Sequence, residues 1–209
     1  MITLTENQYE ALMTNARVIE RDTYGPKVLH LTDGSYLKIF RRRNLLSWSL
    51  IQPYSLKFTA NASVLKGIGI LTVEVTETMN LPVPRKTAVR YQPLAGETIR
   101  EIFRKGQLTH ELIERLAGFI NQLHQAGVYF RSLHFGNIIL TPKNIFGLID
   151  IADMRFFDRP LRQAEVIRNF RHMKRYIHDD FQCTEQFSQL LKSYSDSNNY
   201  LITPECLDR

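Results

Sequence analysis

An α+β chain of two lobes is what the sequence predicts, and three features predict it. Short apolar runs with Gly, Pro and Asp turns between them fill residues 1–90, interrupted by a single helical stretch. Wide apolar stripes at three- and four-residue spacing dominate residues 97–209. Between these parts Tyr91-Gln92-Pro93-Leu94-Ala95-Gly96 breaks both periodicities, so residues 91–96 are the expected hinge.

The elements follow in order. Residues 16–21, 27–31 and 35–40 read as a three-stranded antiparallel meander, turned at Tyr24-Gly25-Pro26-Lys27 and at Asp33-Gly34. Leu56, Phe58, Ala62 and Leu65 have helical spacing, which predicts a helix over 54–66 closed by Gly67 and Gly69. Strands follow at 70–77 and 86–92. Past the hinge, Glu97 to Arg104 reads as a short helix. Thr109 caps a long one reaching Ala126, because Leu112, Ile113, Leu116, Phe119, Ile120 and Leu123 form one wide stripe and Gly127 ends it. Residues 138–140 and 146–149 are two short strands joined by Thr141-Pro142-Lys143-Asn144, and helices over 163–178 and 180–195 close the chain.

Composition narrows the class. With 209 residues, 44% hydrophobic and 23% charged, the chain can bury a core and is not a disordered segment. Its two cysteines, Cys183 and Cys206, stand 23 positions apart without a C-x-x-C spacing, which predicts reduced buried thiols in a reducing compartment. The first residues carry no basic stretch followed by an apolar run, and no window is apolar enough to cross a bilayer, so a cytoplasmic protein is expected. A formal charge of +6 favours anionic partners: nucleotides, phosphorylated sugars, nucleic acid or an anionic membrane face. Two basic clusters stand out, Arg41-Arg42-Arg43 and a stretch from Arg155 to Arg175 with seven basic against two acidic residues. In the second, Arg168, Arg171 or His172, and Arg175 recur on one helical face, by default a solvated surface and otherwise an anion site.

The chemistry concentrates in the hairpin. A loop Arg131-Ser132-Leu133-His134-Phe135-Gly136 leads to Asn137 at the start of one strand, and Asp150 ends the next strand 13 positions later. Singly, Asn137 is an ordinary turn residue and Asp150 an ordinary strand-end cap. Together at one end of a tight hairpin they form an oxygen-ligand pair for a hard cation such as Mg2+, which takes few protein ligands and keeps phosphate and water for the rest.

These residues resemble the protein-kinase-like phosphotransferases. The kinase loop H-R-D-L-x-x-x-N is matched by Phe130-Arg131-Ser132-Leu133-His134-Phe135-Gly136-Asn137, an L-H-x-x-G precedes it at Leu123-His124-Gln125-Ala126-Gly127, and Asp150 falls where the D-F-G aspartate belongs. Upstream, Tyr36-Leu37-Lys38-Ile39 is similar to the V-A-I-K strand, with Lys38 as the phosphate-binding lysine. More narrowly, GVYFRSLHFGNIIL and the compact chain resemble the small bacterial kinases of the lipopolysaccharide inner core and the related toluene-tolerance proteins. The resemblance implies a two-lobed protein-kinase-like fold with a small antiparallel-sheet N-lobe and a reduced helical C-lobe. It also implies ATP and Mg2+ as cofactors and a lipopolysaccharide core sugar as acceptor.

The sequence departs from the family pattern at three places. From Gly34 to Val73 there is no Asp or Glu, so the glutamate that normally holds the lysine is absent, and Asn61 is the residue expected in its helical place. Only Gly25 remains in the first turn, beside a proline that removes an N–H donor, so the phosphate cradle is reduced. Ser132 stands where the catalytic aspartate belongs. Positioning and charge neutralisation carry most of phosphoryl transfer, so these losses weaken activity without excluding it. His134 then either receives a proton or contacts the transferred group, or it only shapes the loop by bonding backbone. Arg131 is expected to anchor the loop or the segment after Asp150, with Asp153 as a cap or turn residue; His124 and Gly127 are expected to be structural.

The expected function is therefore ATP-dependent phosphotransfer to a lipopolysaccharide inner-core sugar, with a pseudokinase that binds nucleotide or a partner without turnover as the alternative. Only 59 residues follow Asp150, with no A-P-E among them, which disfavours a protein substrate. The basic charge suits an anionic glycolipid and peripheral contact with an inner membrane. Nucleic acid is not expected, since no aromatic-basic stacking motif occurs.

Overall fold

The computed structural model describes residues 1–41, 53–178, 184–198, 200 and 202–207, so Arg42, Arg43 and Cys183 lie outside it. The chain is α+β and divides into two compact units, Met1–Leu94 and Ala95–Arg209.

The first unit is a sheet with a helix on each face. Its strands are β1 (Ile2–Thr3), β2 (Arg17–Asp22), β3 (Gly25–His30), β4 (Tyr36–Arg41), β5 (Leu71–Thr72), β6 (Glu74–Asn80) and β7 (Lys86–Gln92), and six of them pair in the order β1-β6-β7-β4-β3-β2. The expected antiparallel sheet is corrected to a mixed one, because β1 runs parallel to β6. The N-terminal strand and the helix α1 (Glu6–Met13) were not expected from apolar periodicity, and their signal is local. Thr5 and Gln8 form a capping box, in which Thr5 N–H donates to Gln8 Oε1 at 2.9 Å and Gln8 N–H donates to Thr5 Oγ1 at 3.3 Å. Period-two alternation then splits the strands. Leu29, Leu37, Ile39, Met79 and Ala88 bury one face against Tyr9, Leu12 and Met13 of α1. On the other face Phe40 and Tyr91 meet Phe58 of α2 (Tyr54–Gly67), at centroid separations of 5.8 and 5.6 Å. Arg90 braces the turn between β3 and β4: its Nε donates to Ser35 Oγ at 2.9 Å, its guanidinium pairs with Asp33, and bonds from Ser35 hold the Asp33 carboxyl down at about 2.

The second unit is mostly helical. After β8 (Glu97–Thr98) come α3 (Ile99–Arg104), α4 (His110–Gln125), β9 (Val128–Phe130), β10 (Ile138–Leu140), β11 (Phe146–Leu148), β12 (Met154–Phe156), α5 (Gln163–His178) and α6 (Thr184–Asp196). Thr98 and Thr109 cap α3 and α4 as acceptors for Glu101 N–H and Leu112 N–H. The stripe of α4 is buried, from Leu112 to Leu123. Gly96, at φ 139°, lets β8 lie along β10, since a Cβ there would sit 2.3 Å from Leu140 O. The two-stranded ladder β9–β12 was not expected; its three-residue strands are too short for a period to register. Cys206 is half-buried rather than buried. Among the described residues no helix is long and apolar enough to cross a membrane.

Candidate functional site

Lys38 and Gly25 belong to the first unit. Lys38 sits mid-strand between Val28 and Val89 and is 6% exposed, which excludes an exposed strand lysine. Its Nζ lies 5.9 Å from the ring centroid of Phe40 and 6.0 Å from that of Phe58, so aromatic faces cradle the ammonium. Asn61 lies one helical turn beyond Phe58 on the same buried side of α2. Gly25, at φ 114°, opens β3, and Pro26 is tolerated beside it because the β3–β4 ladder begins only at Val28. Arg41 serves this turn. Its Nη1 donates to Asp22 Oδ1 at 2.7 Å, Tyr24 N–H donates to the same oxygen at 2.8 Å, and the guanidinium lies 5.1 Å from the centre of the Tyr24 ring. The hydrogen bond from Arg41 is the main reason the Asp22 carboxyl titrates below its usual range.

The remaining expected residues lie on one stretch of the second unit. Strand β9 delivers Arg131, whose N–H donates to Asp153 O at 3.1 Å and whose Nε stands 3.6 Å from Asp153 Oδ2, so Asp153 pairs with Arg131 rather than acting only as a cap. Asn137 is buried; its Nδ2 donates to Ser132 O at 2.9 Å and its own carbonyl accepts from Ile149 N–H at 3.0 Å. With Nδ2 engaged, Oδ1 is the atom of that amide able to meet a cation. The bond to Ile149 brings Asn137 to the same end of the β10–β11 hairpin as Asp150. Asp150 itself has φ 52°, a left-handed backbone that side chains rarely adopt and that costs about 1–3 kcal/mol unless its surroundings impose it.

His134 Nδ1 accepts the Gly136 N–H at 3.1 Å. A neutral imidazole bonded in this way carries its proton on Nε2, so it has no free lone pair with which to receive another. The geometry supports loop shaping by His134; a proton received on Nδ1 would have to displace the Gly136 N–H bond. Its ring stacks on Tyr176 of α5 at 4.2 Å, and His172 lies 4.9 Å from Tyr176, so α5 contributes residues that loop motifs do not reveal.

A buried network holds the loop from behind. Asn169 Nδ2 donates to Phe130 O at 3.0 Å, so its Oδ1, 3.2 Å from His124 Nε2, must accept the imidazole proton. His124 Nδ1 then accepts from Tyr194 O–H at 2.8 Å. Burial pushes the His124 pKa down to about 4, and burial likewise pushes the Tyr194 hydroxyl up. Gly127, at φ 72°, makes the following turn, where a Cβ would lie 2.2 Å from Phe157 O.

Among the described residues no group of three or more His, Cys, Asp or Glu side chains could hold a metal ion, so any cation at Asn137 and Asp150 would rest on two protein oxygens. No family model matches the chain, and no curated protein does.

Proposed function

We propose that the chain is a kinase-like phosphotransferase that binds ATP with Mg2+ and transfers phosphate to a sugar hydroxyl of a lipopolysaccharide core. The observation that carries this reading is that Asn137 and Asp150 stand at one end of the β10–β11 hairpin: an amide oriented by Ser132 O, bonded through its backbone to Ile149, and a carboxylate residue on a left-handed backbone. Two oxygens of this kind suit Mg2+, which would neutralise phosphate charge and complete its shell from nucleotide and water. Lys38, buried on β4 against two aromatic rings, is the residue that would meet a phosphate in the first unit. The acceptor class rests on the resemblance of the loop sequence.

A second reading, a pseudokinase that binds nucleotide without turnover, draws on Ser132 in place of an aspartate and on His134, whose Nδ1 is committed to backbone. Two measurements separate the readings. A thermal-shift titration with ATP and Mg2+, singly and together, should raise the melting temperature most with both, because a ligand that binds only the folded form stabilises it. Transfer of phosphate from ATP to purified lipopolysaccharide core then distinguishes enzyme from pseudokinase. A melting temperature indifferent to ATP and Mg2+ would reject both.

A further inference from the structure

Where α5 passes the loop after β9, basic and aromatic side chains gather beside His134. Arg131 reaches this face from the loop, and its pairing with Asp153 is long, at 3.6 Å, with more than half of the arginine side chain exposed. Such a pair contributes little and leaves the guanidinium able to turn to another anion. Arg175 is exposed on α5, one turn beyond His172. Tyr176 is 38% exposed while one side of its ring stacks on His134. Most telling is His172. Its Nε2 is sealed from solvent and makes no hydrogen bond among the described residues, an arrangement that costs free energy until a partner compensates it.

We propose that this face of the second unit is a subsite for a phosphate monoester carried on a sugar, with Arg131 and Arg175 meeting the phosphate, His172 taking up a proton as it docks, and the open part of Tyr176 supporting the sugar ring. The exposed guanidinium groups of Arg131 and Arg175, the sealed Nε2 of His172 and the Tyr176–His134 stack carry the argument, and the charge balance around His172 adds to it. Burial, then Arg175 of its own helix, then Arg131 from the loop press its pKa down, and only Asp153 opposes them; His134 and Tyr176 add uncharged rings, and Arg171 is turned to Cys206 O. A dianion drawn to the two arginines cancels their repulsion and rewards an imidazolium, so phosphate and proton bind together. Tyr176 favours a ligand with a ring over a bare ion, because aromatic faces stack on apolar ring surfaces. The subsite deepens the phosphotransferase reading by naming an anionic group on the acceptor, yet it needs neither ATP nor Mg2+, so the two fail separately.

The test is calorimetric titration of the full chain, without nucleotide, with glucose 6-phosphate, glucose, and mixed phosphatidylcholine–phosphatidic acid vesicles, between about pH 5.5 and 8. Glucose 6-phosphate should bind and glucose should not. Arg175→Gln should weaken binding about tenfold or more at an unchanged melting temperature. His172→Gln should still bind while losing the proton uptake that exceeds the ligand's own ionisation, an uptake worth up to about tenfold in affinity per pH unit in the wild type. Equal affinity in Arg175→Gln, or an unchanged pH slope in His172→Gln, would overturn the proposal. Binding to the vesicles with no response to glucose 6-phosphate would overturn the sugar as the source of the phosphate.

Discussion

Asn137 Nδ2 donates to the carbonyl oxygen of Ser132 at 2.9 Å, tying the end of the loop back to its start. The bond leaves Oδ1 as the atom of that amide that, on the proposed reading, would share a cation with the Asp150 carboxylate. Asp150→Asn keeps the shape and tolerates the left-handed backbone while removing the charge, so it should leave the melting temperature close to wild type and abolish the Mg2+-dependent part of ATP binding. Asn137→Ala should abolish the same part and also cost about 1 kcal/mol in stability, because Ser132 O loses its donor. Magnesium-dependent binding that persists in Asp150→Asn would remove the metal site from the proposal.

His134 offers a sharper test than deletion alone. An asparagine oxygen can take the place of Nδ1 and accept the Gly136 N–H, whereas alanine cannot. If the side chain only shapes the loop, His134→Asn should keep phosphate transfer within about tenfold of wild type and His134→Ala should lose about 100-fold, the scale of a small misplacement of reacting groups. Equal losses in both variants would instead give the ring itself a part in the transfer. On the phosphotransferase reading, Ser132→Asp, which puts a carboxylate in the loop, should raise transfer without creating a strong enzyme, since no acidic residue between Gly34 and Val73 is present to hold Lys38.

Residues whose information is local were legible in the sequence. The stripe of α4 and its Thr109 cap, the β10–β11 hairpin and the α2 spacing all depend on neighbours a few positions apart, and these elements stand within a few residues of the expected bounds. What escaped depends on partners far along the chain. The β9–β12 ladder joins three-residue strands more than twenty positions apart, and the parallel pairing of β1 with β6 spans most of the first unit. That Asn137 and Asp150 stand at one end of the hairpin was legible, because a tight hairpin sets which positions share an end. The face carrying His172 and Arg175 was legible as basic but read by default as solvated surface, and Tyr176 was not singled out, because only the fold shows which loop this helix meets. Asn169 and Tyr194 likewise give no sequence signal for the His124 network, 45 and 70 positions away.

Gly127 permits the close approach of the segment after β12. At φ 72° it already occupies backbone space that suits glycine, and a Cβ would stand 2.2 Å from Phe157 O and 2.6 Å from Arg159 O, backbone atoms that cannot swing aside. The Phe157 N–H donates to Gly127 O at 3.0 Å, so moving either strand breaks a bond that aligns β9 with β12. Gly127→Ala should therefore destabilise the chain by on the order of 3 kcal/mol. Chemical denaturation of the variant reads this directly. A loss under about 1 kcal/mol would mean that the turn relaxes, contrary to the packing described.

The His124 network makes stability fall with acid in a window of its own. His124 is fully buried and neutral, giving its Nε2 proton to Asn169 and its Nδ1 lone pair to Tyr194. Its pKa in the folded chain is about 4 against an ordinary 6.5, mainly because burial penalises the cation. The unfolded chain therefore binds the extra proton first as the pH drops. Stability from this residue is fully present above about pH 6.5 and is lost on the way down to about pH 4, at about 1.4 kcal/mol per unit and on the order of 3 kcal/mol in all. His172, with a lowered pKa of its own, adds to the upper part of the same window. The carboxylates with lowered pKa values, Asp22 and Glu101 and, at about 2, Asp33 and Glu165, act at lower pH, so the interval above about pH 5 belongs mainly to the histidines. His124→Gln should be less stable than wild type at neutral pH, since one amide cannot satisfy both partners, but its stability should be flatter from pH 7 to about pH 5. Urea denaturation at several pH values measures both slopes. A wild-type slope equal to that of His124→Gln would show that this imidazole is not the buried neutral acceptor described here.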